Sequence, residues 1–227
     1  MLHIPGVDKA EEEPEKAEKI NVIGTKNLAF VAKQNNITLI HISTDYVFDG
    51  EKNIEIFYTE EDKANPKSVY GKTKYQSELE VQKNCKKYYI FRTSWLFGDG
   101  NNFVRTMIKL GKETSEISVV NDQFGSPTYC IDLANIIKQA IEKNIPFGLY
   151  NATNQGFINW SGFAKQIFSL TNIDCKVKEI SSEELLRKAQ RPKNSKLSKE
   201  KIMSFGIEIK DYQDALKRYL KEERNNY

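Results

Sequence analysis

The sequence predicts an α/β fold: a doubly wound parallel sheet, covered by helices on both faces, with a small C-terminal α+β lobe attached. Three observations carry this. Apolar runs of strand length, TLIHIS (residues 38–43), YYIFRTSW (88–95) and ISVV (117–120), recur along the chain. Longer segments between them place apolar residues at helical spacing. Strand and helix therefore alternate, which is the pattern of parallel sheets built from crossover units.

From residue 8 to about 35 the chain reads as helix, with acids in its first turns and Ala17, Ile20, Gly24, Leu28 and Val31 forming one stripe. Pro14 is expected to break off a short first piece. The strand 38–43 follows and ends in a polar turn at Thr44 and Asp45. A long loop leads to a helix over 70–82, the strand 88–95, and a helix over 101–112 with Phe103, Met107 and Leu110 on one face. The strand 117–120 and a helix over 132–143 repeat the unit. Beyond Phe147 the alternation loosens into a strand at 148–153, a helix at 160–170 and a short strand at 177–180. In SSEELL (181–186) a serine ahead of acids predicts a capped helix. The loop RPKNS (191–195) and a helix over 211–223 close the chain. This reading divides it into a main domain, 1–147, and a mainly substrate-binding lobe, 148–227.

With 227 residues, 39% of them hydrophobic and 29% charged, one sizeable core is affordable. The net charge is only +3 and lysines are interspersed with acids, so no nucleic-acid partner is expected. Cys85, Cys130 and Cys175 lie far apart without C-x-x-C spacing, and only His3 and His41 could join them. No metal site is expected, and reduced thiols in a cytoplasmic setting are the default. Neither a signal-peptide core nor an apolar run near the roughly 20 residues of a membrane span is present, so no membrane partner is expected.

Tyr70 and Lys74 form Tyr-x-x-x-Lys at the start of a predicted helix, on one face and a turn apart. A free phenol titrates near pH ~10, and a fixed ammonium nearby lowers that value enough to make it a useful proton donor. In a chain with 11 tyrosines and many lysines one such pair arises by chance, so the pair alone says little. Its context says more, because HISTDYVFDG (41–50) puts Ser43 or Thr44 at a strand end, where open parallel sheets bind ligands. A hydroxyl there could hold a substrate carbonyl beside the phenol. A capped turn explains Thr44 and Asp45 equally well on spacing alone.

Taken together, STDYVFDG, PKSVYGKTKYQSE (66–78), RTSWLFG (92–98), NDQFGSPTY (121–129) and RPKNSKL (191–197) resemble successive signatures of the dTDP-4-dehydrorhamnose reductases, within the short-chain dehydrogenase/reductase superfamily. VDKAEEEPEKAEKINVIGTKNLA (7–29) is similar to the family's helix before that first strand, so the resemblance covers nearly the whole chain. It implies a Rossmann-like fold and the reduction of dTDP-4-dehydro-L-rhamnose to dTDP-L-rhamnose by NADPH or NADH. It also implies the roles: Tyr70 as proton donor, Lys74 on the nicotinamide ribose and lowering the Tyr70 pKa, Thr44 on the reacting oxygen, Asp45 and Trp95 on the sugar nucleotide. A core tryptophan is the plain alternative for Trp95. For Arg191 and Asn194 a nucleotide-phosphate role rests on chemistry alone, since a guanidinium suits a pyrophosphate; a solvated loop arginine is the other reading.

The family's opening strand and glycine-rich turn, whose amides meet the dinucleotide pyrophosphate, have no counterpart here. Gly6 and Gly24 are the only glycines before Gly50, and neither follows a predicted strand. The fold is thus expected to be N-terminally truncated, with weak cofactor binding by this chain. The strand 38–43 would then lie at a sheet edge, which favours self-association, a homodimer being one form. Two alternatives stay open: a non-catalytic scaffold like the regulatory subunit of methionine adenosyltransferase, and a reductase or epimerase acting on another nucleotide sugar. Thr44 and the reductase-like RTSWLFG and NDQFGSPTY weigh against the first.

Overall fold

The structure is a computed structural model that describes residues 6–185 and 187–225. The predicted first helix is three pieces: α1 (Val7–Glu12), α2 (Pro14–Glu18) and α3 (Gly24–Gln34), with a π-helical turn at Lys19–Ile23 before α3. Pro14 opens α2 at its first position, where a missing N–H costs nothing. Then come β1 (Leu39–Thr44), α4 (Val69–Asn84), β2 (Tyr88–Thr93), β3 (Leu96–Phe97), α5 (Phe103–Glu113), β4 (Glu116–Val120), β5 (Phe124–Gly125) and β6 (Thr128–Tyr129). The rest is α6 (Cys130–Glu142), β7 (Gly148–Asn151), β8 (Ile158–Asn159), α7 (Trp160–Thr171), β9 (Lys176–Ile180), α8 (Glu200–Met203) and α9 (Tyr212–Asn225).

Among the described residues β1, β2 and β7 form one parallel sheet in that order, with β1 at the edge. Alternation along the strands sends side chains to both faces. Tyr89 and Phe91 of β2 and Tyr150 of β7 pack on Leu133, Ile136 and Ala140 of α6. On the opposite face Leu39 and Tyr88 meet Ala29 and Ala32 of α3. The sheet is thus covered on both sides, and β7, which the sequence reading gave to the smaller lobe, is its third strand. A second core joins Phe97, Val104 and Met107 to Phe163 and Ile167 of α7 and Leu216 of α9.

Several local expectations change. The strand read through residue 95 ends at Thr93, because Trp95 turns into the left-handed region with φ 48°. On α5 the buried positions are Val104, Met107 and Gly111, while Leu110 is exposed. The helix expected at 181–186 is only a turn over 182–184, and Leu186 lies outside the described residues. Ser181 and Glu184 do exchange the reciprocal capping bonds, Glu184 N to Ser181 Oγ at 3.3 Å and Ser181 N to Glu184 Oε1 at 2.9 Å. A cap supplies a start, and the described residues that follow, 187–190, run as bends and coil rather than carrying the helix on. His3, weighed as a metal ligand, also lies outside the described residues.

Candidate active site

The carboxyl ends of β1 and β2 open on a cavity of about 280 Å³ lined by Thr44, Asp45, Tyr46, Tyr70, Lys74 and Trp95, among others. This is where the crevice of an open parallel sheet is expected. Thr44 ends β1, and Asp45 starts a 3-10 turn, Asp45–Val47. The Thr44 hydroxyl accepts from Tyr46 N at 3.2 Å and donates to Asp45 Oδ1 at 2.9 Å, so it caps the turn and also faces the site. Asp45 is 2% exposed, and besides Thr44 the Ser195 side chain lies within hydrogen-bond reach of its carboxyl, with the Ser195 hydroxyl also 3.3 Å from the Phe124 carbonyl. Burial pushes the Asp45 carboxyl up to about 6.

The start of α4 is fixed from two sides. Ser68 caps it by accepting from Gly71 N at 3.0 Å, and Glu11 of α1 accepts from Val69 N at 2.7 Å. A Cβ on Gly71 would stand 2.2 Å from the Tyr46 carbonyl oxygen, so only glycine lets this turn press on the Tyr46 backbone. That contact brings the Tyr70 ring edge-on to Tyr46 at 5.6 Å and its phenol within hydrogen-bond reach of Thr44.

One turn on, buried Lys74 donates from Nζ to the Ile42 carbonyl of β1 at 2.6 Å. Burial lowers its pKa to about 8, against the opposing pull of Glu78. The Tyr70 phenol is pushed up to about 12, first by burial and then by the Asp45 charge. Lys74 is not among the groups that act on the Tyr70 phenol here. Its ammonium is drawn to a strand carbonyl, leaving desolvation and a neighbouring acid to act on Tyr70.

Sequence reasoning missed the buried ion pair beneath the site. Arg92 of β2 donates to Glu78 of α4 through Nε (2.9 Å) and Nη2 (2.7 Å), and Ser43 Oγ donates to the same carboxylate at 2.5 Å. This ties α4 to both strands and sets the height of Lys74 one turn earlier. Its signal was available: Arg92 is a charge inside an apolar strand, and such charges survive burial only when paired.

Trp95 is half-buried, and for so bulky a residue the left-handed backbone costs on the order of 1–3 kcal/mol. Its indole lies flat on that of Trp160, 3.5 Å between ring centroids.

Arg191 and Asn194 line a neighbouring cavity of about 810 Å³. Arg191 pairs with Asp8 at 2.8 and 3.2 Å and is hydrogen-bonded to Tyr46, which lines the first cavity. Asn194 is 1% exposed: Nδ2 donates to the carbonyls of Asn53 (2.9 Å) and Ile56 (2.8 Å), and Oδ1 accepts from Lys196 N (3.0 Å). Its amide is committed to shaping the loop before Phe57. The structure thus gathers Thr44, Asp45, Tyr70, Lys74 and Trp95 in one cavity and sets Arg191 and Asn194 at the next. Among the described residues no His, Cys, Asp and Glu cluster could hold a metal, and no helix is long and apolar enough to cross a membrane.

Known proteins share this arrangement of elements. The family model described as the RmlD substrate binding domain matches residues 5–225. A dTDP-4-dehydrorhamnose reductase of Aggregatibacter actinomycetemcomitans is 40% identical over 225 residues, which covers 93% of this chain and 76% of that protein. The crystal structure of a Clostridium acetobutylicum dTDP-4-dehydrorhamnose reductase superposes with a TM-score of 0.94 at 45% identity, covering 98% of this chain and 79% of that one. A Bacillus anthracis dTDP-4-dehydrorhamnose reductase solved in complex with NADP gives 0.93 at 41% identity, covering 97% and 78%.

Proposed function

The chain belongs to the dTDP-4-dehydrorhamnose reductase family, and from that membership we propose that the cavity at the end of β1 is the sugar site of a nucleotide-sugar reductase. The reaction is the NAD(P)H-dependent reduction of the 4-keto group of dTDP-4-dehydrorhamnose. The observation that supports this placement is the convergence of Tyr70, Lys74, Thr44, Asp45 and Trp95, from three separate segments, on one crevice.

Tyr70 and Lys74 fit the nicotinamide-ribose end of the dinucleotide. The Lys74 ammonium is buried with one donor on Ile42, which leaves two for ribose hydroxyls. When bound, the nicotinamide supplies the hydride that reaches the carbonyl carbon. At the keto oxygen Tyr70 donates the balancing proton; a phenol near 12 is fully protonated at neutral pH and gives up its proton only to a developing alkoxide. The Thr44 hydroxyl steers that oxygen toward the phenol. Asp45, on the cavity lining, contacts the sugar portion of the ligand. Trp95 covers a face of the sugar, and Arg191 exchanges Asp8 for a phosphate oxygen. Asn194 holds the wall loop in shape rather than touching substrate.

In protein that carries the family's glycine-rich segment ahead of these residues, Tyr70→Phe lowers turnover by roughly 10² to 10⁴ while sugar-nucleotide affinity stays within about two-fold. Steady-state kinetics beside product titration checks this. An unchanged turnover removes Tyr70 from its role.

A further inference from the structure

The sequence contains two tryptophans, and the fold lays one on the other. Trp95 leaves the end of β2, and Trp160 opens α7; their ring planes are 8° apart at a centroid distance of 3.5 Å. The stack is held by more than a loop. Trp160 follows directly on β8, whose Ile158 and Asn159 pair with Gly125 and Phe124 of β5. Gly125 presses on the Trp95 indole so closely that a Cβ there would stand 2.6 Å from Trp95 Cε2. Phe103 packs on Trp160 in turn, at 4.4 Å between centroids. Trp95 lines the Tyr70–Lys74 cavity, whereas Trp160 stands outside that lining.

We propose that Trp160 is a positioning residue: by stacking on Trp95 it fixes the indole as a rigid wall that selects the sugar portion of the nucleotide sugar. This rests on the reading of Trp95 as the sugar-facing wall. The physical case has two parts. A left-handed backbone at a bulky residue persists only where the surroundings over-determine it, and here the surroundings are Trp160 and Gly125. A wall already rigid before binding orders nothing further when the sugar arrives, so its contact area goes into affinity rather than into immobilising a side chain.

With no third indole in the chain, the stack has its own signature, an exciton couplet in the far-ultraviolet circular dichroism. The 227-residue chain shows this couplet, and both Trp160→Leu and Trp95→Leu abolish it. Calorimetric titration with dTDP-L-rhamnose and with dTDP then separates the roles. Trp160→Leu weakens dTDP-L-rhamnose by about ten-fold and leaves dTDP within about two-fold, whereas Trp160→Phe, which keeps a flat ring, restores the sugar nucleotide to within about three-fold. A wild-type spectrum without a couplet overturns the proposal, as does a Trp160→Leu variant that weakens both ligands alike. So does undiminished dTDP-L-rhamnose binding by Trp160→Leu when Trp95→Leu has lost it. If Trp95→Leu itself binds dTDP-L-rhamnose normally, the sugar-wall reading of Trp95 fails, and the proposal falls with it.

Discussion

Asp45 carries a carboxylate that is 2% exposed at the wall of the cavity, and the hydrogen bonds it receives do not offset the loss of solvent. The cost has a definite pH dependence. Its pKa rises from the ordinary 3.8 to about 6, so the folded state takes up the proton before the unfolded chain does. Stability gained from that proton is present below pH 3.8 and is lost as pH rises through about 6. A shift of about two units corresponds to roughly 3 kcal/mol, an upper bound for one group. Asp45→Asn is therefore expected to stabilise the fold by up to that amount near pH 8, with the gain vanishing near pH 4, as urea unfolding at the two values reads directly. The same variant should bind dTDP-L-rhamnose more weakly, the exchange of stability for function that buried polar sites make. The motif pointed to this residue in the sequence. Its near-complete burial was not legible there, because a partner as distant in sequence as Ser195 comes beside it only in the fold.

At the scale of elements, period and punctuation told most of the story. Pro14 broke the first helix where a pyrrolidine must, and the strand cores fell where β-branched and aromatic residues cluster. What sequence could not rank was which face of a stripe meets a partner. Ala17 and Ile20 do pack, against Val69 and Tyr70, but Leu28 and Val31 of the same stripe face outward. Phe30 (53% exposed) and Ile37 (56% exposed) are exposed as well, and Leu28 lines a cavity with residues 39–42 of β1, the edge strand among the described residues. A run of apolar side chains next to an open strand edge is a template for association. Residues 1–227 on their own should self-associate, and Phe30→Glu with Ile37→Lys should shift them toward monomer. Sedimentation velocity over a concentration series measures this, and a wild-type monomer at every concentration would count against it.

Across the whole molecule, the site joins parts that lie far apart in the chain: the end of β1, the first turns of α4, the end of β2 and the loop carrying Arg191. The sequence reading joined the first two from the strand end and the Tyr-x-x-x-Lys pair, and the family resemblance added Trp95 at the third. It missed Trp160 and the Glu78–Arg92 pair, whose roles exist only once β5 meets β8 and α4 lies on β2. Every sugar-facing residue proposed here lies within residues 1–227, while the glycine-rich turn that the family uses for the dinucleotide pyrophosphate has no counterpart among them. Calorimetric titration of the purified 227-residue chain with dTDP-L-rhamnose and with NADPH tests that division most directly. The account predicts saturable micromolar binding of the sugar nucleotide and no saturation by NADPH below millimolar concentrations. Micromolar NADPH binding with none of dTDP-L-rhamnose would contradict it.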